Sequence, residues 1–119
     1  MKRALLYVFL VLNAAAWHNC LAGTDFHQRP GIILPGALVK ATALAYAQFE
    51  QELDKKDKAA TNDFARSMSK LESYDAKISV EHRHYIIRFI PKDKNVRGGE
   101  IAYTIKKDDF SISDIDYSK

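Results

Sequence analysis

The chain holds 119 residues, of which 28% are charged and 47% apolar, with a formal net charge of +3. That length allows one modest core and excludes two independent domains. Residues 1–22 contain two of the 18 basic residues and none of the 15 acidic ones, so the remainder carries 16 against 15. A near-neutral remainder has no general field to gather nucleic acid, and no nucleic-acid partner is expected.

The segment MKRALLYVFLVLNAAAWHNCLAG has the order of an export signal. Lys2 and Arg3 form a positive start, residues 4–12 are uninterrupted apolar sequence, and small residues suited to cleavage follow. Ala14 with Ala16, and Cys20 with Ala22, both fit the small-x-small rule. The second is preferred, because Trp17, His18 and Asn19 then serve as the region before the cut. Residues 1–22 are expected to be a signal peptide, and the protein to be exported, periplasmic or secreted. The apolar run is shorter than the about 20 residues of a membrane-spanning helix. Cleavage after Ala22 removes Cys20, the only cysteine, and leaves a domain that must be stable without disulfides. In the alternative, Cys20 becomes a lipidated first residue, although Trp17 and Asn19 stand where such signals carry Leu and a small residue. Membrane association is expected only through the signal or that lipidation.

Residues 23–36, GTDFHQRPGIILPG, form an irregular arm. Pro30, Gly31, Pro35 and Gly36 interrupt helix and leave at most a short extended piece over 32–34. A single α+β domain is expected over 37–119. Leu38, Ala41, Ala45, Phe49 and Leu53 recur every three or four residues, which predicts a helix to about residue 53 or 54, with Tyr46 widening its buried stripe. The polar run DKKDKAATND is either a break or a solvated continuation. Phe64, Met68 and Leu71 restore helical spacing, and a second helix is predicted over 59–71.

From residue 74 the period changes to two. Tyr74, Ala76, Ile78 and Val80 alternate with Asp75, Lys77, Ser79 and Glu81, as in a half-buried strand. Residues 85–90 are nearly continuous apolar sequence broken only by Arg88, which predicts an inner strand partly covered on both faces. Residues 100–105 form a third strand, with Ile101, Tyr103 and Ile105 on one face. In the fourth, 110–117, Phe110 and Ile112 are out of phase with Ile115 and Tyr117, and a bulge near Ser113 would return all of them to one side. Gly98 and Gly99 supply positive φ where the chain re-enters the sheet. Helices followed by a run of strands indicate α+β. The expected architecture is an N-terminal helix or helix pair packed on a four-stranded antiparallel meander, with Phe49, Leu53, Phe64 and Met68 on the apolar side of the sheet.

The stretch EHRHYIIRF raises a metal question. On a strand His82 and His84 would share a face and could converge on one ion. A third ligand is not placed: Glu81 points the other way, and His27 lies in the arm. The polar residues 81–84 also fit a four-residue hairpin loop, and a solvated corner is the preferred reading. No metal is favoured and no cofactor is expected. Serines 67, 69, 73, 79, 111, 113 and 118 lack a nucleophile-elbow context, RGGE lacks the length of a phosphate loop, and Asp108, Asp109, Asp114 and Asp116 lack calcium-loop spacing. No catalytic residue is identified, and the protein is expected not to be an enzyme. Two surfaces remain for binding. The loop PKDKNVRGG sets Lys92, Lys94 and Arg97 against Asp93, and the uncovered sheet face carries Lys77, Arg88, Thr104 and Lys106.

YDAKISVEHRHYIIRFIPK, followed by GGEIAYTIKKDDFSISDIDYSK, is similar to the strand pairs of small exported bacterial proteins with a cystatin-like fold. The Gly-Gly entry into a strand and the YTIKKDD that follows resemble the final hairpin of immunity-type members that share the helix-in-sheet cone of nuclear transport factor proteins. The resemblance implies a long helix across a curved antiparallel sheet, used as a scaffold for binding proteins or small ligands without catalysis. The Gln-x-Val-x-Gly motif of cysteine-protease inhibitors is absent, so inhibition of papain-type enzymes is not implied. The expected function is protein–protein contact by a small exported protein, in its most concrete form an inhibitor or immunity protein against a hydrolase or toxin. Lys92, Lys94 and Arg97 are the expected partner contacts. The alternative is a small-ligand or metal carrier that uses the concave sheet with His82 and His84 at its mouth.

Overall fold

A computed structural model of the chain describes residues 30–119. The signal-peptide expectation for 1–22, and residues 23–29 of the arm, lie outside the described residues. Leu34–Lys119 forms one compact unit. Residues 30–33, at the end of the preceding unit, hold no helix or strand, and Ile32 and Ile33 are exposed.

Helix α1 spans Gly36–Ala59. Pro35 sets its start: a proline biases the residue before it away from helix, and the Pro35 carbonyl accepts the N–H groups of Leu38 and Val39 at 3.0 and 3.1 Å. Leu38, Ala41, Ala45, Phe49 and Leu53 are buried, as their spacing predicts. The two alanines let the helix backbone approach the sheet closely. Tyr46 does not widen the stripe; it is exposed, and Leu44 packs against the core instead. The helix also continues past residue 54. Its last turns need no apolar residue because they are largely solvated, and Lys56 and Lys58 suit the negative end of the helix dipole.

The second helix expected over 59–71 shrinks to α2, Asp63–Ser67, and a 3-10 turn, Leu71–Ser73. Asn62 caps α2 by accepting the Ala65 N–H at 2.7 Å. The hydroxyls of Ser67, Ser69 and Ser73 then donate to the carbonyls of Phe64, Arg66 and Ser67, at 2.7, 2.6 and 2.6 Å. Such local bonds compete with a continuing helix. Phe64 is consequently 59% exposed and does not lie on the sheet, whereas Met68 packs against the core.

The strands are β1 (Tyr74–Val80), β2 (His84–Pro91), β3 (Ile101–Lys106) and β4 (Ile112–Tyr117), all antiparallel in the order β1-β2-β3-β4. The fold is therefore α+β, with one long helix followed by a four-stranded meander. Helix α1 packs on the middle strands β2 and β3. Phe49, Tyr74, Ile87, Phe89, Ile101, Tyr103 and Ile105 form the centre of the core. Between β3 and β4 the pairing passes from Thr104 with Asp114 to Ile105 with Ile112, so Ser113 is the extra residue of a bulge. The bulge returns Ile112, Ile115 and Tyr117 to the core side. Ile115 and Tyr117 stay 37% and 52% exposed, since α1 covers the middle of the sheet and leaves this edge open. The other face of β2 is not covered by α1 either: Arg88 is exposed, and Ile86 and Ile90 are only half-buried.

Candidate functional site

Strands of six to eight residues hold the two ends of the sheet roughly 20 Å apart. At the end where β1 starts, the Lys56 ammonium donates to Tyr74 Oη at 3.1 Å, and Tyr74 Oη donates to the Met68 carbonyl at 2.7 Å. This relay joins the end of α1, the segment after α2 and the start of β1. Beside it runs a groove of about 330 Å³ whose lining includes Lys56, Phe64, Ala65, Met68, Val96 and Arg97. Its far wall is the loop after β2. The Lys92 N–H donates to the Ser73 carbonyl at 2.9 Å, and the Asp93 carboxylate accepts the Asn95 N–H at 2.9 Å. Gly98 and Gly99, at φ 76° and 78°, return the chain to β3.

The residues expected to act together in that loop part company. Arg97 lines the groove, Lys94 is exposed, and Lys92 reaches Asp75 of β1 at 3.9 Å. The groove instead recruits Lys56, Phe64 and Val96, which sequence reasoning did not assign to a site. Asn62 was the available signal for Phe64, because a cap at that position starts a new helix and rotates the ring away from the predicted stripe.

The opposite end is built from the two tight turns. Residues 81–83 form the first, since His84 belongs to β2 and not to a four-residue loop, and the Glu81 N–H donates to the His84 carbonyl at 2.8 Å. The second, 107–110, is closed by Phe110 N–H to the Lys106 carbonyl at 2.9 Å and Lys106 N–H to the Ser111 carbonyl at 2.9 Å. The Lys107 N–H donates to the Arg83 carbonyl at 3.0 Å and locks the turns side by side. Between them lies an open pocket of about 570 Å³ lined by His82, Arg83, His84, Lys106, Lys107 and Asp108. The Asp109 carboxyl is held below the ordinary carboxylate range, chiefly by the Ser111 hydroxyl and then its N–H, with Lys106 adding a smaller effect against slight desolvation.

His82 and His84 thus share their pocket with three cations and one carboxylate, Asp108. Among the described residues no three His, Cys, Asp or Glu side chains stand close enough to share a metal ion. Lys77, Arg88, Thr104 and Lys106 do share the face that α1 leaves uncovered, as the strand register requires. Asp114 and Asp116 lie on that face too, and Arg88 donates to Glu100 at 2.7 Å, so its charge is mixed. Compared with known proteins, the chain matches no family model, no curated protein and no solved structure.

Proposed function

We propose that the protein is a small exported, non-catalytic binding protein that acts by protein–protein contact through the groove between α1, α2 and the loop after β2. The observation that carries this reading is Phe64, an aromatic ring 59% exposed beside Lys56 and Arg97. Aromatic residues and arginine dominate the energetics of protein interfaces, and here the two types stand together in one groove. The groove has room for a side chain or two, and its two cations favour a partner segment with an apolar residue flanked by carboxylates.

Export is supported by the order of charged, apolar and small residues in 1–22. In its most concrete form the protein is an inhibitor or immunity protein that occludes a hydrolase or toxin. The likeness to cystatin-like scaffolds agrees with that role. The test is to isolate the tagged full chain with whatever protein it retains, then to measure that partner's affinity for a Phe64→Ser, Arg97→Glu variant. One stoichiometric partner is expected, with affinity at least about tenfold weaker for the variant and unchanged for Lys92→Ala. Equal affinity discards the groove. A chain that retains no partner discards protein contact altogether.

A further inference from the structure

At the other end of the sheet the strand register breaks a rule of pairing. Like charges directly across an antiparallel ladder destabilise it. Here Arg83 and Lys107, both fixed cations, are set side by side by the hydrogen bond from the Lys107 N–H to the Arg83 carbonyl, one step beyond the pairing of His84 with Lys106. Among the described residues, none of the ion pairs involves Arg83, Lys106 or Lys107. Three fixed cations line the pocket with the single carboxylate of Asp108, and Asp109 beside Lys106 offsets this positive excess only in part.

The surroundings hold this unfavourable cluster in place. Phe110 ends the second turn at φ 57°, a left-handed conformation that is unfavourable for a non-glycine residue. The strain is tolerated because its ring stacks near Tyr85, with centroids 6.4 Å apart, and lies 4.3 Å beneath the Lys40 ammonium of α1. Lys107 in turn stands 5.1 Å over the Tyr85 ring. Strained backbone held by packing and local rules broken in one place are both features that collect at binding sites.

We propose that this pocket binds a phosphate group carried on a larger body. A phosphate dianion is drawn by the positive excess and offers several oxygens, which suit guanidinium and ammonium donors. A lone carboxylate offers fewer oxygens to the same donors. The volume of about 570 Å³ exceeds what phosphate alone fills, and its open mouth admits the rest of the molecule. Two sources offer this chemistry, a soluble phosphomonoester and the monoester headgroup of phosphatidic acid. The site is independent of the groove, since it stands at the far end of the strands.

The test is a nuclear magnetic resonance titration of the full chain with inorganic phosphate and with glycerol 3-phosphate, at constant ionic strength set by chloride. Saturable shifts confined to 82–84 and 106–108 are expected, with a Kd of about 1 mM or tighter for glycerol 3-phosphate. The Arg83→Ala, Lys107→Ala variant keeps the backbone bond between the turns and is expected to bind at least about tenfold more weakly, while Lys92→Ala, Lys94→Ala binds as the unaltered chain does. Co-sedimentation with vesicles containing phosphatidic acid, whose headgroup is a phosphomonoester, distinguishes the sources. Sedimentation that depends on Arg83 and Lys107 assigns the lipid headgroup, and soluble binding without sedimentation assigns the phosphomonoester. Absence of saturation in both arms, or equal weakening in the two double variants, overturns the proposal.

Discussion

The ring of Phe49 on α1 lies parallel to that of Phe89 on β2, with centroids 4.1 Å apart and an interplanar angle of 1°. Phe49 also meets the edge of Tyr74, at 5.0 Å and 84°. One fully buried side chain thus ties the helix to β1 and β2. Phe49→Ala is expected to cost about 3–5 kcal/mol, from lost burial and the cavity left behind, and Phe49→Leu clearly less. Urea unfolding of both variants measures this. A loss below about 1 kcal/mol for Phe49→Ala would be incompatible with this packing.

Tyr103 carries a buried hydroxyl that has no partner among the described residues. Burial first, then the nearby Tyr117 and Glu52, push its pKa up to about 12 from 10.0. The folded state therefore favours the protonated phenol. Its contribution to stability is complete below pH 10 and is lost as the pH rises towards 12, because the unfolded chain gives up the proton first. Alkaline titration of phenolate absorbance is expected to show one tyrosine ionising late, and Tyr103→Phe to abolish that late step. The same variant removes an unsatisfied buried oxygen, so stability at neutral pH is expected to hold or rise.

Phe110 separates ring packing from backbone strain. Phe110→Ala loses the contacts with Tyr85 and Lys40 but keeps a side chain at φ 57°, whereas Phe110→Gly loses the same contacts and relieves the strain. The glycine variant is expected to be the more stable of the two by about 1 kcal/mol. Thermal unfolding decides it, and a more stable alanine variant would exclude the left-handed turn.

Gly98 and Gly99 share a positive φ but not their surroundings. A Cβ on Gly98 would stand 3.0 Å from the backbone carbon of Lys119, whereas one on Gly99 would meet only the Pro91 side chain at 3.6 Å. Both alanine substitutions strain the backbone by about 1 kcal/mol or more. Gly98→Ala is expected to be the worse, because it must also displace the chain after Ser118, whose N–H donates to the Glu100 carbonyl at 2.9 Å. Equal losses in denaturant unfolding would show that this closure of β3 against β4 carries no stability.

What the amino-acid order determined by itself was local and periodic. The spacing from Leu38 to Leu53 is enough for a helix with one buried face, and alternation from Tyr74 to Val80 is enough for a strand. The phase jump between Ile112 and Ile115 demanded a bulge at Ser113, since side-chain direction reverses at every residue. The Gly98-Gly99 pair announced positive φ because no other residue adopts it as cheaply. Only the tertiary structure decided what these elements place together. Phe64 fits a helical stripe with Met68 and Leu71, yet the Asn62 cap and the serine–carbonyl bonds after it shorten the helix and turn the ring to solvent. Arg83 and Lys107 are 24 positions apart, and their adjacency exists only through the register of β2 on β3. Periodicity is set by contacts a few residues long and can be seen in one dimension. A groove or a pocket is set by pairing across the sheet, and no spacing along the chain encodes which turns will meet.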